Sequence, residues 1–310
     1  MQKNKRIEET TLLKMLEKPI GKVDIVLDTD TFNEIDDQYA LAYLMKSSDN
    51  LSVKAIYAAP FLNEKSVSPS DGMEKSYKEI MRVLSLMNKE KFKECVLKGS
   101  RQFLPSEDQA VQSPAAVDLA KRAMNYCSDN PLYVVAIGAI TNIASAILIN
   151  PEIIDKVVIV WLGGHALHWP NTKEFNLYQD VASARVVLGC GVPVVLLPCK
   201  GVVSEFRISG PELEHHLRGK NELCDYLVDV TTKEAEKHSG LATWTRVIWD
   251  VTAVAWLLEG EFMHDYLVAS PIPTYDGHYV TDSTRHFVRY VYHIERDNLF
   301  EDLFHKLSDN

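Results

Sequence analysis

The residues best suited to chemistry form one acidic cluster near the start of the chain. Residues 28–37 hold five carboxylates, those of Asp28, Asp30, Glu34, Asp36 and Asp37. Neighbouring carboxylates cannot all stay ionised without compensation, and a helix N-terminus offers each charge only about 0.3–1 kcal/mol. A bound cation is the simplest compensation. The alternative is a solvated, acidic helix start that Asp28 or Asp30 caps.

Three later segments carry further side chains that suit a site. In Gly138–Ala144 (GAITNIA), the glycine permits an unusual turn, Thr141 or Asn142 can cap a helix, and a carbonyl is left pointing outward. The loop Trp161–Asn176 is dense in His, Trp and Asn, which hydrogen-bond hydroxyls or stack on rings. Asp250 follows Trp249 at a predicted helix start, where an aspartate is more often a cap than a ligand.

Composition excludes several classes of partner. The chain has 310 residues, 46% hydrophobic composition, a formal charge of −10 and a pI near 5.5, so a basic face for nucleic acid or anionic membrane is not expected. Its five cysteines include no Cys-x-x-Cys pair, which favours reduced thiols in a cytoplasmic protein. No apolar run reaches the ~18 residues of a membrane span or forms a signal-peptide core.

Short apolar runs alternate with helical patterns, which is typical of a parallel sheet covered on both faces. Strands are predicted at Val23–Leu27, Val53–Ala59, Leu132–Ile137, Val157–Leu162, Val192–Leu197 and Phe287–His293. Helices are predicted at Asp37–Met45, Gly72–Met87, Pro114–Cys127, Asn142–Ile149, Val181–Leu188, Glu222–His238, Asp250–Leu258 and Asp297–Leu307. We therefore expect a single α/β domain over residues 21–310 with an open, mostly parallel, Rossmann-like sheet. Residues 1–20 are predicted to form a short helical extension.

The long loops of this pattern predict where a ligand binds. In an open α/β sheet, ligands bind beyond the carboxyl ends of the strands. Three non-periodic stretches directly follow predicted strands: Pro60–Asp71, Gly163–Phe175 and Lys200–Arg207. We expect them to form the walls of a site whose floor is the acidic cluster.

Taken together, these motifs resemble the nucleoside hydrolase family, whose members split the N-glycosidic bond of ribonucleosides at a calcium ion. The resemblance extends from about Val23 to the last predicted helix and includes an Asp-x-Asp…Asp-Asp signature that is two residues longer here than its commonest form. The matching positions are Asp28, Asp30, Asp36 and Asp37, then Gly138–Ala144, then Glu174-Phe175-Asn176 with Asp180, and finally Asp250.

The resemblance implies a calcium site and a general base. Asp30, Asp37 and Asp250 would bind Ca²⁺ through carboxylates, joined by the backbone carbonyl of Ile137, and all are the hard oxygen donors that Ca²⁺ prefers. Asp30 would also accept a proton from the attacking water.

The resemblance likewise implies contacts with the substrate, a nucleoside or related N-riboside. Asp36 would bond a ribose hydroxyl, Asn176 would lie near the 3′ side and Glu174 near the 5′-hydroxyl. Asn63, in a loop that departs from the family pattern, is a further candidate contact. Family members are commonly dimers or tetramers, so a homo-oligomer is expected.

The chain departs from the family pattern at the leaving group. Many members have a histidine before the late aspartate as the acid for the base, whereas this chain has Trp249. Trp249 can stack on the base together with Trp161 or Trp169, or can serve as a core residue. His165 and His168 are the candidate replacement acids, with His168 assigned to catalysis and His165 to substrate binding.

Two other functions stay open from the sequence. Ile25–Thr31 also fits the apolar run and Asp-x-Asp-x-Thr of a haloacid dehalogenase-type phosphatase, with Asp28 as nucleophile, Asp30 as acid and base, and Mg²⁺. That hypothesis leaves Glu174-Phe175-Asn176 and Asp250 without a role. The other alternative is a calcium-dependent binding protein that keeps the scaffold without turnover.

Overall fold

The structure, a computed structural model, describes residues 7–240 and 243–309, with the side chains of residues 238 and 239 left out. The strands are β1 Val23–Thr29, β2 Leu51–Ala58, β3 Val96–Lys98, β4 Leu132–Ala136, β5 Val157–Leu162, β6 Val194–Leu197, β7 Arg207–Ser209, β8 Thr245–Val247, β9 Met263–Ala269, β10 Ile272–Pro273, β11 Tyr279–Val280 and β12 Phe287–Ile294. The α-helices are α1 Glu9–Met15, α2 Asp36–Lys46, α3 Pro69–Leu86, α4 Pro114–Arg122, α5 Thr141–Ile149, α6 Phe175–Gln179, α7 Val181–Gly189, α8 Gly210–His216, α9 Glu222–Ser239, α10 Val251–Ala255 and α11 Arg296–Ser308.

Eight strands form the central sheet in the order β3-β2-β1-β4-β5-β6-β12-β9. All neighbours are parallel except β9 and β12, and two short antiparallel ribbons, β7 with β8 and β10 with β11, lie outside the sheet. The strands β1, β2 and β3 follow one another toward one edge of the sheet, whereas β4, β5 and β6 follow one another toward the other edge. The strand order therefore reverses between β1 and β4, which are neighbours. Such a switch point opens a crevice at the carboxyl ends of the strands.

Helices cover both faces of the sheet, which explains why its central strands are apolar throughout. Every residue of β4 and β5 is buried. One core lies between the sheet and α2, α3, α9, α10 and α11, and the other lies between the sheet and α4, α5 and α7. The predicted single α/β domain with a mostly parallel sheet is thereby confirmed.

The predicted elements agree with the structure where the sequence is strongly periodic, and fail at short or polar elements. Each predicted strand is present, five of the six with shifted ends and Val157–Leu162 with the predicted ends. The short strands β3, β7, β8, β10 and β11 were not predicted, because each has only two or three residues. The strand β9 was not predicted either, because it is an edge strand with exposed polar positions. The helix predicted over Asp250–Leu258 is shorter, at Val251–Ala255. The expected N-terminal helix is α1, whose Leu12 and Met15 are buried, while residues 1–6 lie outside the described residues.

Two further expectations concern thiols and membrane segments. All five cysteines are free thiols, as expected from their spacing. Among the described residues, no helix has the length and apolar character needed to cross a bilayer.

Asn142 joins β1 to the segments that follow β3. Its Nδ2 donates to Asp28 Oδ1 at 2.7 Å, and its Oδ1 accepts from the backbone N–H of Ser100 at 2.7 Å and the Ser100 hydroxyl at 2.9 Å. The expected capping role of Thr141 or Asn142 is therefore wrong: Ile140 occupies the N-cap, and Thr141 Oγ1 donates to Asp180 at 2.6 Å. Both side chains link elements distant in sequence rather than satisfying their own helix.

We expect Asn142→Ala to lower the free energy of unfolding by about 2–5 kcal/mol. The substitution leaves the Asp28 carboxylate and the Ser100 N–H buried without partners, at about 1–3 kcal/mol each. Denaturant unfolding measures the change, and Asn125→Ala, the same substitution at an exposed position, is the control. A loss below about 1 kcal/mol for Asn142→Ala would contradict this role.

Candidate active site

A cavity opens at the carboxyl ends of β1, β4, β5 and β6, where the sheet topology places a crevice. Its floor carries Asp30 from the loop after β1, and Asp36 and Asp37 from the first turn of α2. Asp250, immediately before α10, completes this acidic wall. Residues of Gly163–Phe175 and Lys200–Arg207 line the cavity with the acidic cluster, as expected, but no residue of Pro60–Asp71 is among those that line it, so that stretch does not form the expected wall.

Three of these carboxylates lie close together. Ligand oxygens of Asp36, Asp37 and Asp250 lie within 4.8 Å of one another, and all three residues are buried. Asp30 is 1% exposed, and neither of its carboxylate oxygens has a hydrogen-bond partner among the described residues. Unpartnered buried carboxylate oxygens are costly, so this set of atoms fits a hard divalent cation that prefers oxygen ligands.

Burial makes ionisation of the cluster unfavourable. It raises the pKa of Asp30 well above its ordinary value, and the charges of Asp37 and Asp36 raise it further. Burial also raises the pKa of Asp37 to about 6, against the opposing effect of the hydrogen bond that Thr29 Oγ1 donates to it. The pKa of Asp250 is raised by burial and then by Asp36 and Asp37. A cation is therefore the natural counter-charge for this wall at neutral pH.

Asp28 lies behind the cavity and does not line it. The side chain is fully buried, accepts the Asn142 hydrogen bond, and has its pKa raised to about 7 by burial. A phosphatase nucleophile must face the substrate, so the haloacid dehalogenase hypothesis, which assigns that role to Asp28, is wrong. Asp28 instead supports the end of β1 from beneath.

Gly138 and Ile137 bring the end of β4 against Asp30. Gly138 has no left-handed backbone, contrary to the expected unusual turn; a Cβ there would lie 3.1 Å from Asp30 Cγ, so its role is close approach. Ile137 lines the cavity, and its carbonyl accepts from Asn176 Nδ2 at 3.3 Å. The same Nδ2 donates to the Leu162 carbonyl at 3.1 Å, which leaves the Asn176 Oδ1 available as an acceptor.

Glu174 organises the loop around itself. Its carboxylate accepts from the backbone N–H groups of Asn176 and Leu177 at the start of α6 and from that of Gly164, all at 2.8–2.9 Å. Burial raises the pKa of Glu174, against the opposing effect of these three backbone hydrogen bonds. Glu174 lines the cavity, yet much of its acceptor capacity is used within the protein.

The two candidate histidine acids differ in position. His165 is buried and lines the cavity, its Nδ1 accepts from the Lys200 backbone N–H at 3.4 Å, and its pKa is lowered to about 4 by burial and then by the Lys200 charge. It is therefore neutral at physiological pH and ties the loop after β5 to the loop after β6. His168 is exposed and is not among the residues that line the cavity.

Of the three tryptophans considered for base stacking, one lines the cavity. Trp249 does so and is only partly buried against the core. Trp161 is fully buried in the core on the other face of the sheet, and its Nε1 donates to the Gly138 carbonyl at 3.4 Å. The prediction that Trp161 stacks on the base is therefore wrong. Trp169 is 38% exposed and contacts the edge of the His165 ring.

Several residues without a role in the sequence interpretation also reach the site. Asn33 lines the cavity and accepts from Asn63 Nδ2 at 2.7 Å. Asn63 is not among the residues that line the cavity and contacts it through Asn33. Glu34, to which the sequence interpretation gave no separate role, lines the cavity and accepts from Arg246 at 2.7 Å. The two-residue lengthening of the acidic motif was the one available signal for Glu34, whereas no local pattern marks Arg246.

The chain is similar in sequence and in fold to nucleoside hydrolases. Residues 25–301 match the protein family described as inosine-uridine preferring nucleoside hydrolase. The pyrimidine-specific ribonucleoside hydrolase RihA of Salmonella typhimurium is 25% identical over 241 residues, which cover 69% of this chain and 76% of that protein.

Two solved structures share the fold over nearly their whole length. A plant nucleoside hydrolase, PpNRh1, has a TM-score of 0.75 at 18% identity and covers 93% of this chain and 99% of its own. A purine-preferring ribonucleoside hydrolase from Gardnerella vaginalis has a TM-score of 0.72 at 20% identity. The match covers 92% of this chain and 98% of the Gardnerella chain. With the match spanning most of the chain and a cavity lined by the motif's carboxylates, this protein belongs to the nucleoside hydrolase family, a family of N-glycosidases.

Proposed function

We propose that this protein hydrolyses the N-glycosidic bond of a ribonucleoside or related N-riboside with the help of Ca²⁺. Asp30, Asp37, Asp250 and the backbone carbonyl of Ile137 would hold the ion, and Asp36 lies close enough to two of these carboxylates to assist. The observation that carries the proposal is Asp30, a buried carboxylate that lines the cavity and has no partner on either oxygen among the described residues. When bound, the ion supplies positive charge that orients two pentose hydroxyls and the attacking water.

The chain's own groups perform the proton transfer and hold the sugar. Asp30 accepts the proton of the attacking water, because it lines the cavity and neither of its oxygens has a partner among the described residues. Asp36 and the free Oδ1 of Asn176 accept from pentose hydroxyls, and Glu174 fixes the loop that carries Asn176. As the glycosidic bond breaks, the sugar gains oxocarbenium character, which a wall of carboxylates stabilises more than the neutral ground state.

The leaving base lies beside Trp249 in this proposal. The ring lines the cavity immediately before Asp250, so a base attached to a sugar at the acidic wall comes within reach of its face. Since His165 is neutral and His168 lies outside the lining, neither is assigned as the acid. RihA and the Gardnerella enzyme are named for opposite base classes, so purine and pyrimidine nucleosides both belong in the assay.

Release of reducing sugar from a nucleoside panel, with and without chelator, tests the proposed function. We expect hydrolysis of at least one ribonucleoside, loss of activity with chelator and recovery when Ca²⁺ is restored. A protein that binds Ca²⁺ yet releases no sugar from any panel member would instead be the binding protein considered as an alternative.

Asp37→Ala tests the assignment of the ion site within the same assay. Removing one buried carboxylate from the close group of Asp36, Asp37 and Asp250 should abolish both metal retention and activity. Asp49→Ala, at an exposed position near the end of α2, is the control and should keep both. Metal analysis of the purified variants gives the result, and retention of Ca²⁺ by Asp37→Ala would contradict the assignment.

The stability of the chelator-treated protein should fall as pH rises from about 5 to 8. Burial raises the folded-state pKa of Asp28 to about 7 and that of Asp37 to about 6, above the ~3.9 of an unfolded aspartate. Raised folded pKa values stabilise at low pH, and that stabilisation is lost as pH rises through them. Thermal unfolding measures the trend, and added Ca²⁺ should raise Tm more at pH 8 than at pH 5.5. A chelated protein whose Tm rises with pH would contradict it.

Trp249→Ala and Trp249→Phe separate base stacking from a purely structural role. If Trp249 stacks on the base, loss of the ring should raise KM by about tenfold or more, and Phe should restore most of it. If Trp249 only fills the core, Trp249→Ala lowers Tm without a specific change in KM. Steady-state kinetics and thermal unfolding of both variants decide between the two.

A further inference from the structure

Glu34 stands out because the proposed reaction gives it no role although it lines the cavity. It lies in the loop between Asp30 and Asp36 and is 42% exposed, so it sits toward the open side rather than on the floor. After burial, the negative charge of Glu34 is the next cause that raises the pKa of Asp36, which places the Glu34 carboxylate near the end of the acidic wall.

An ion pair joins Glu34 to Arg246. Arg246 Nη2 donates to Glu34 Oε2 at 2.7 Å, and the guanidinium side chain is only 20% exposed. Arg246 belongs to β8, three residues before Trp249, so this ion pair ties the acidic loop to the segment that carries Trp249 and Asp250. The hydrogen bond from Arg246 fixes the orientation of the Glu34 carboxylate.

One oxygen of Glu34 stays available to a ligand. Oε2 receives the Arg246 hydrogen bond, whereas Oε1 has no hydrogen-bond partner among residues 7–240 and 243–309. A carboxylate paired with a guanidinium is an acceptor only, so the ligand group that meets it must donate a hydrogen bond. A carbonyl oxygen in that place would meet another acceptor and be rejected.

We propose that Glu34 is a specificity-determining residue that accepts a hydrogen bond from an exocyclic amino group of the leaving base. This inference rests on the proposed function, which places the base beside Trp249. The favoured substrates are then nucleosides of amino-bearing bases, such as adenosine and cytidine, over their oxo counterparts, inosine and uridine. Arg246 is a positioning residue that acts through Glu34.

Matched substrate pairs test the inference. The ratio of kcat/KM for adenosine over inosine, and for cytidine over uridine, is measured for the wild type, Glu34→Gln and Glu34→Ala. Each pair differs in the group that meets the carboxylate, so effects on the ion site or the pentose cancel in the ratio. We expect the wild type to favour the amino member by about tenfold or more, and both variants to reduce that preference by a similar factor.

Two further sets of variants give the positioning test and the control. Arg246→Met should lower the amino preference, and Arg246→Lys should keep more of it, because a cation still faces Glu34. Glu214→Gln removes a Glu–Arg pair of the same kind, with Arg218, on the exposed surface of α8, and should leave both ratios unchanged.

The outcomes separate this inference from the proposed function. If the wild type hydrolyses the nucleosides but prefers the oxo member of each pair, the inference is overturned and the proposed function stands. A carboxylate that accepts a hydrogen bond from a ring N–H of the base would give that result. An amino preference that Glu34→Gln and Glu34→Ala leave intact also overturns the inference and leaves the function standing. If none of the four nucleosides is hydrolysed, the inference is overturned, and release of sugar from the wider nucleoside panel decides the proposed function separately.

Discussion

The crowding of carboxylates at the carboxyl ends of β1 and β4 is the constraint on which the rest of the site depends. Asp30, Asp36, Asp37 and Asp250 are all buried, and burial raises the pKa of each. Without a counter-ion, neutral pH leaves these charges desolvated and mutually repelling. The fold tolerates this cost because the sheet and the helices that cover it hold the carboxylates in place, and the same cost favours binding of a cation.

Interactions behind the wall keep it in place. Asn142 bonds Asp28 under the end of β1, Thr29 bonds Asp37, and Gly138 allows the end of β4 to approach Asp30. The loop after β5 is held by Glu174, which satisfies three backbone N–H groups. Each of these contacts is made within the protein. Their effect is to fix a reactive surface that would otherwise rearrange to relieve its own charge.

The open side of the cavity differs from its floor. The floor presents carboxylate oxygens that can accept hydrogen bonds from the hydroxyls of the proposed sugar. Elsewhere in the lining, Trp249 contributes an aromatic ring, and Lys173 and Lys200 contribute positive charges. His165 joins two of these loops and, with a pKa of about 4, contributes no proton at neutral pH. In the proposed function the sugar meets the acidic floor and the base meets the loops of the open side, where substitutions cost the scaffold little.

The sequence by itself determined the order of the main elements, the parallel sheet and the acidic motif with its Gly138–Ala144, Glu174-Phe175-Asn176 and Asp250 companions, because periodicity and residue chemistry are local properties. Only the tertiary structure decided which of these groups face the cavity. It placed Asp28 and Trp161 in the core, His168 on the surface and Asn142 under β1. It also joined Glu34 to Arg246, 212 positions apart. Such outcomes depend on how distant segments pack, which no local pattern encodes.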